Sequence, residues 1–260
     1  MINPALLLIV GALPIAFLQR PLRQVYLVGL PIVAFVLAIG IDDGTYGHIQ
    51  VFDYTLDTLR MDGLSRVFMM IFLIATFLGT LYALNDDDPV QQTSGMIYAG
   101  AAVGAVLAGD LISLFVYWEL TAIAFVFLIL AAGTEKARRA AMRYLIIQVG
   151  SGVLLLAGAL MHVADTGSIA FVHFGLETTA GKLIFLAFGV KCAFPLLHNW
   201  LQDAYPEATV GGTVMLSAFT TKLAVYSLAR GYAGTEILIV IGAIMTMFPI
   251  FYAVIENDLR

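Results

Sequence analysis

A single cysteine, Cys192, stands in 260 residues. That excludes an internal disulfide and any CxxC metal or redox motif; Cys192 itself reads as a small apolar helix residue. Charge is scarce as well, with only 12% of residues being Asp, Glu, Lys or Arg. No basic patch is available for nucleic acid. The net charge of −5 carries little information about partners, because the acids sit mostly in loops such as NDDDP at 85–89. The opening run MINPALLLIVGALPIAFLQR has no positive leader and no evident small-residue cleavage site, so a retained first helix is expected rather than a removed signal peptide. No linker separates soluble domains, and no internal sequence repeat is evident.

Apolar residues make up 61% of the chain, and mean hydropathy is +0.94. A soluble domain of this size has no interior large enough for so much apolar surface. Several runs reach the ~18–20 residues needed to cross the hydrocarbon core. The sequence therefore predicts an all-α, polytopic membrane protein with about nine transmembrane helices. They fall near 4–18, 25–41, 67–84, 93–108, 111–131, 143–163, 183–200, 210–229 and 237–254. The longest loop, 42–62, contains HIQVFDYTLDTL and can form a short hairpin. Gly100 and Gly104 on helix four, and Gly150, Gly152 and Gly158 on helix six, let backbones approach closely where lipid supplies no hydrophobic drive.

Orientation follows from Lys and Arg. Arg20, Arg23, Lys136, Arg138, Arg139, Arg143 and Arg260 fall on one side; Arg60, Arg66, Lys182 and Arg230 fall on the other. This bias predicts an external N-terminus and a cytoplasmic C-terminus.

Three ionisable residues lie inside apolar spans: Glu119 in LFVYWELTAIAF, Lys191 in FGVKCAF and Lys222 in AFTTKLAVYS. At 1.5 Å rise per residue, Glu119 and Lys191 are each roughly 12 Å below the outer face and Lys222 roughly 10 Å. A charge facing lipid costs at least ~2.5–3.5 kcal/mol at a helix centre, so the three should face one another or water. One reading is a buried ion pair that only fixes helix register. The other is a proton relay, since one pair suffices as a staple and three helices contribute here. At ~4 Å and an effective dielectric of ~20, a carboxylate attracts an ammonium by about 4 kcal/mol. Movement of Glu119 relative to Lys191 is thus expected to switch Lys191 between holding and releasing a proton, with Lys222 as next acceptor.

Pro195 lacks an N–H and cannot bond the carbonyl of Lys191 four residues back. Non-helical backbone at membrane depth is tolerated only beside a cavity or other protein, so Pro195 marks a candidate hydrated helix break; a packing kink is the plainer reading. His198 is a candidate proton branch toward the cytoplasm, since an imidazole can take up and release a proton under physiological conditions. His162 and His198 lie too far apart in depth to clamp one haem, while His48 and His173 are in loops. A haem-bearing redox anchor is disfavoured, and no cofactor or metal motif stands out. Asp110 and Asp203 flank spans and read as helix-end charges, with Asp203 also a candidate point of proton admission.

WEL at 118–120, K-x3-P-x2-H-x-W-L-x-D-A from Lys191 to Ala204 and TKLAVYSLAR at 221–230 form a combined pattern. With LRMDGLSRVF and GDLISLFVYWELTA before them, these stretches resemble the antiporter-like subunits of respiratory complex I (NADH:quinone oxidoreductase) and of Mrp-type multisubunit Na+/H+ antiporters. The resemblance covers nearly all the chain. A lysine rather than a histidine on helix eight makes it most similar to the Mrp D subunit and its complex I relatives.

That family's fourteen-helix subunits contain two inverted five-helix repeats, each with a broken helix. The resemblance implies an N-terminal three-helix segment (1–92), a five-helix proton half-channel repeat with a broken helix seven (93–230), and the first helix of an incomplete second repeat (231–260). Glu119 matches the family's helix-five glutamate, Lys191 the broken-helix lysine and Lys222 the central-axis lysine. His198 falls where the family often has histidine. Family members continue past the segment resembling VIENDLR at 254–260, so the chain is expected to be an N-terminal portion, either truncated or completed by another polypeptide. The implied function is proton translocation or cation/proton antiport, as a subunit not catalytic alone. The implied partners are the bilayer, protons with Na+ as a second candidate ion, and other membrane subunits, including one supplying the second half-channel. The alternative is a non-conducting structural adaptor.

Overall fold

The structure, a computed structural model, describes residues 2–255, apart from the side chain of residue 252. The expectations for Arg260 and for the end of the 231–260 segment lie outside the described residues.

Seven helices begin on an Asn, Asp or Thr whose side chain accepts a hydrogen bond from the first turn, the standard way to satisfy otherwise unpaired N–H groups. In chain order the elements are α1 (Pro4–Ala12), a 3-10 segment (Leu13–Phe17), α2 (Arg20–Ile39), β1 (Gly44–Val51), β2 (Tyr54–Met61), α3 (Gly63–Tyr82), α4 (Pro89–Leu107), α5 (Leu111–Leu130), α6 (Glu135–Thr166), α7 (Thr179–Cys192), α8 (Asn199–Ala204), α9 (Val210–Gly231) and α10 (Ile237–Ile255). The strands pair antiparallel from Gly44↔Met61 to Val51↔Tyr54. The loop 42–62 is therefore the hairpin that its sequence allows.

Several helices begin four or five residues earlier than expected, and three further differences have a specific local cause. The first helix tightens to 3-10 at Leu13, where Pro14 has no N–H to continue the α ladder. α6 starts at Glu135 rather than near 143, because Thr134 caps it and Ala137, Ala140 and Ala141 bury one face. Its 32 residues span ~48 Å, beyond the ~30 Å hydrocarbon core. The predicted seventh span, 183–200, ends at Cys192.

Among the described residues, α2, α3, α5, α6 and α10 are individually long and apolar enough to cross a membrane. α4 sits at the centre, against α1, α3, α5 and α9. It is buried on nearly every face, and its small residues explain why: a Cβ on Gly100 would stand 2.8 Å from Ile9, and one on Gly104 2.5 Å from the Tyr117 ring. α10 is the opposite, an apolar helix with none of its span buried.

One end of the bundle is locked by polar ties to the hairpin. Asp110 is 1% exposed; it caps α5 through Ser113 N–H at 2.7 Å and also accepts from Asp57 N–H of β2 at 2.8 Å. Asp62 caps α3 through Ser65 N–H at 2.9 Å and accepts from Arg230 Nη2 of α9 at 2.8 Å. Arg230 Nε donates to Tyr226 Oη at 2.8 Å. At the other end Arg23, buried at the start of α2, pairs with Asp87.

Burial pushes the Asp62 carboxyl up, but the Arg230 and Ser65 hydrogen bonds and the Arg60 charge outweigh it and hold it below its ordinary value. Stability from such a group is fully present above its unfolded pKa of about 4 and is lost as pH falls through the lower folded value. Asp62→Ala is expected to cost about 1 kcal/mol at neutral pH, mostly from the lost cap, since Asp62 is 38% exposed and water screens its pairs with Arg60 and Arg230. Thermal melting in detergent should show the gap to the parent narrowing below about pH 4. A gap that stays constant into acid would contradict this account.

Candidate functional site

Lys191 lies in the last turn of α7 and is 0% exposed. Its Nζ donates to the Trp118 carbonyl at 2.7 Å and to Thr121 Oγ1 at 2.9 Å. It also stands 4.2 Å from the centroid of the Trp118 ring. A carbonyl, a hydroxyl and a ring face from a single turn of α5 thus replace the water an ammonium needs. Thr121 donates its own proton to the Trp118 carbonyl at 2.7 Å, which leaves the oxygen lone pairs turned to the lysine.

Trp118 also ties three helices together. Its Nε1 donates to Ser151 Oγ of α6 at 3.2 Å, and Ser151 Oγ donates to the Ala187 carbonyl of α7 at 2.9 Å. Lys191 is therefore placed by a fixed frame from α5 and α6.

Glu119 follows Trp118 and turns toward α6. Its Oε1 is buried without a hydrogen-bond partner. A Cβ built on Gly152 would lie 1.7 Å from that oxygen, so glycine makes the space the carboxylate occupies. Glu119 and Lys191 interact electrostatically, yet among the described residues no direct ion pair joins them.

Past Lys191 the helix stops. Ala193 takes a left-handed conformation, with φ 62 and ψ 49, and its N–H bonds the Gly189 and Val190 carbonyls. Phe194 N–H then reaches back to the Gly189 carbonyl at 3.0 Å, a Schellman-type end. Gly189 permits it: a Cβ there would meet the Phe194 ring at 2.5 Å. Leu196 is left-handed as well, with φ 71. Trp200 Nε1 donates to the Val190 carbonyl at 3.0 Å, so the indole ten residues on gives this helix-end acceptor a second donor beside Ala193 N–H. Pro195 thus lies in the turn between α7 and α8, not inside a kinked helix, and the helix ends three residues before it.

This turn forms one wall of a cleft of about 290 Å³. Cys192, Ala193, Pro195 and His198 face Thr221 of α9 and Met245, Phe248 and Pro249 of α10. The His198 ring meets Phe248 edge-on at 5.3 Å. Lys222 is exposed, and its Nζ donates to the Ser217 carbonyl of its own helix at 2.7 Å. The convergence of all three charges on one pocket is thus not what the chain displays: Glu119 and Lys191 come together, whereas Lys222 turns outward beside Cys192 and the cleft. The lysine's long stem lets it reach a carbonyl at the bundle surface in preference to an apolar interior. Asp203 of α8 forms a two-point ion pair with Arg143 of α6, both contacts at 2.5 Å. It therefore staples α8 to α6 on an exposed face. Among the described residues no group of three or more His, Cys, Asp or Glu is arranged to hold a metal ion.

Thr121, Ser151, Gly152 and Trp200 escaped the reading of the sequence as site residues. Only Thr121, one turn beyond Trp118 and so on the same face of the helix as that indole, carried a signal that could have found it.

A family profile described as "NADH:quinone oxidoreductase/Mrp antiporter, TM" matches residues 108–260. Hydrogenase-4 component B of Escherichia coli (strain K12) is 24% identical over 234 residues, covering 80% of this chain and 35% of that protein. An NAD(P)H-quinone oxidoreductase chain 4 of Picosynechococcus sp. is 30% identical over 189 residues, covering 66% and 34% respectively. The chain thus spans about a third of the length of these curated relatives. Among solved structures, a chain of the Mrp complex from Dietzia sp. DQ12-45-1b superposes with a TM-score of 0.76 at 22% identity, covering 89% of this chain and 47% of that one. A chain of respiratory complex I from Thermus thermophilus gives 0.78 at 16% identity, covering 92% and 55%.

Gly152→Ala is expected to push the Glu119 carboxylate out of its niche and cost about 1–3 kcal/mol. Gly150→Ala, where an added Cβ meets nothing within 4 Å, should be neutral or stabilising by up to ~1 kcal/mol. Paired melting curves decide; equal behaviour of the two variants would mean that Gly152 does not make room for Glu119.

Proposed function

The chain belongs to the NADH:quinone oxidoreductase/Mrp antiporter transmembrane family, and from that premise we propose that it is a proton-relaying membrane subunit of a multisubunit energy-coupling complex. The observation that carries the reading is Lys191: a fully buried ammonium solvated by neutral groups, with a carboxylate near enough to interact but not clamped to it. A staple calls for direct pairing, because an unpaired buried charge is costly. A relay needs an acceptor whose proton affinity depends on how close its neighbour stands.

In this reading 93–230 is the working unit, preceded by the segment 1–92 and followed by 231–260. Its support is a closed circuit of packing in which α4 meets α5, α5 meets α6, α6 meets α7, α7 meets α9 and α9 returns to α4. The stretch from α7 through the turn at Pro195 to α8 acts as one interrupted span, which, with the apolar N-terminal segment (Pro4–Phe17), α4 and α9 counted as spans, brings the total to about nine. The cleft beside Pro195 and His198 admits water to the α7 end, and protons pass among Glu119, Lys191 and Lys222, with His198 as a branch. Asp203 acts by holding α8 in place.

Lys222 and the uncovered apolar face of α10 bear on partners. A lysine in lipid costs at least ~2.5–3.5 kcal/mol, so this side of α9 and α10 is covered in the assembled complex by another membrane polypeptide that receives the proton. The family and the apolar helices place the chain in a membrane; we assign it to the plasma or inner membrane with the N-terminus outside.

The test is transport by the assembled complex in proteoliposomes. Lys191→Arg keeps a cation but, with a pKa above 12, cannot release its proton. It should assemble normally and lower proton transport about a hundredfold or more. Full transport by an assembled Lys191→Arg or Lys191→Ala complex would contradict the relay and leave the structural-adaptor role.

A further inference from the structure

Outside the Glu119–Lys191 frame, α6 carries a second set of polar groups. Tyr144 is 1% exposed and Gln148 0%. The Tyr144 hydroxyl and both polar atoms of the Gln148 amide have no hydrogen-bond partner, like Glu119 Oε1. Residues 144, 148 and 152 occupy successive turns of one face, roughly 6 Å apart, and Gly152 is the residue that Glu119 touches. The unpartnered groups therefore form a row running from Glu119 along α6 to Tyr144. Beside Tyr144 is Arg143, bound to the half-exposed Asp203. The Tyr144 hydroxyl lies against the Thr220 hydroxyl of α9 without the geometry of a hydrogen bond, and it is within electrostatic reach of Glu119, Tyr98 and Tyr205.

Native interiors carry only a few buried unpartnered polar atoms per hundred residues; four share this one row. Left dry, each costs at least what a lost hydrogen bond does, and a leucine would pack better in its place. An amide and a phenol both donate and accept, which suits groups that hold water in a chain.

We propose that Gln148 and Tyr144 bind a row of buried water molecules that delivers protons to Glu119 from the Arg143–Asp203 end of the bundle, by a route separate from the cleft at Pro195. Each water passes one proton forward as it takes one from behind, the Glu119 carboxylate is the terminal acceptor, and Gln148 and Tyr144 keep their own protons overall. This rests on the relay reading of Glu119 and Lys191.

The experiment uses the assembled complex. Gln148→Leu, close to the original in volume, should assemble with unimpaired melting and lower proton transport about tenfold, the equivalent of one hydrogen bond lost from the transport barrier. Gln148→Asn should recover part of that rate, and cryo-EM maps of the parent should show water density within hydrogen-bond distance of the Gln148 amide. Parental transport by Gln148→Leu, an Asn variant as slow as the Leu variant, or a dry amide would each overturn the proposal. Should Gln148→Leu fail to assemble, Tyr144→Phe takes its place: slowed transport supports the water row and an unchanged rate overturns it. If Lys191→Arg abolishes transport while Gln148→Leu does not, this inference fails alone; if neither affects it, the relay itself fails.

Discussion

An ammonium group buried without a direct counter-ion is the constraint around which this bundle is arranged. Lys191 is held by one turn of α5, and that turn is in turn fixed by Trp118, Ser151 and the Ala187 carbonyl. Each link is a neutral dipole. Together they lower the cost of the buried charge without neutralising it, so the nearby Glu119 can still alter its proton affinity. A tight ion pair at the same place would be firmer and chemically inert. The packing follows from this need: Gly152 opens the niche for Glu119, and Gly189 lets the chain double back behind the lysine.

The end of α7 serves the same purpose. Two left-handed residues, Ala193 and Leu196, and a glycine under an aromatic ring turn the chain out of its helix where the lysine side chain points inward. The indole of Trp200 then gives the Val190 carbonyl a second donor. Backbone that leaves the helix at membrane depth requires such substitutes or water, and here both a side-chain donor and an open cleft are at hand.

Much of this could be read from the residues. Glu119, Lys191 and Lys222 stand out because charges are rare in apolar runs, and the WEL and K-x3-P-x2-H patterns point to the family that the profile match confirms. The hairpin was legible from HIQVFDYTLDTL. Other features were hidden for definite reasons. Hydropathy continues unbroken through FGVKCAFPLLHNW, so the helix end at Cys192 is invisible to it; that end is set by φ angles and by a ring packing on Gly189. Gly150 and Gly152 look alike in sequence, yet only one faces a carboxylate. Lys222 and Lys191 are both lysines in apolar helices, but Lys191 meets Trp118 and Thr121 of a neighbouring helix, whereas Lys222 finds its partner on its own. Tyr144 and Gln148 gave no signal because their interest lies in the bonds they do not make.

The central claim is that Glu119 and Lys191 act as one unit in moving protons. A double-mutant cycle measures this directly: proton transport by the assembled complex carrying Glu119→Gln, Lys191→Met, or both. Groups that work as a unit give non-additive losses, so the double variant should be no slower than the slower single one. Losses that multiply would show two independent sites and contradict the account.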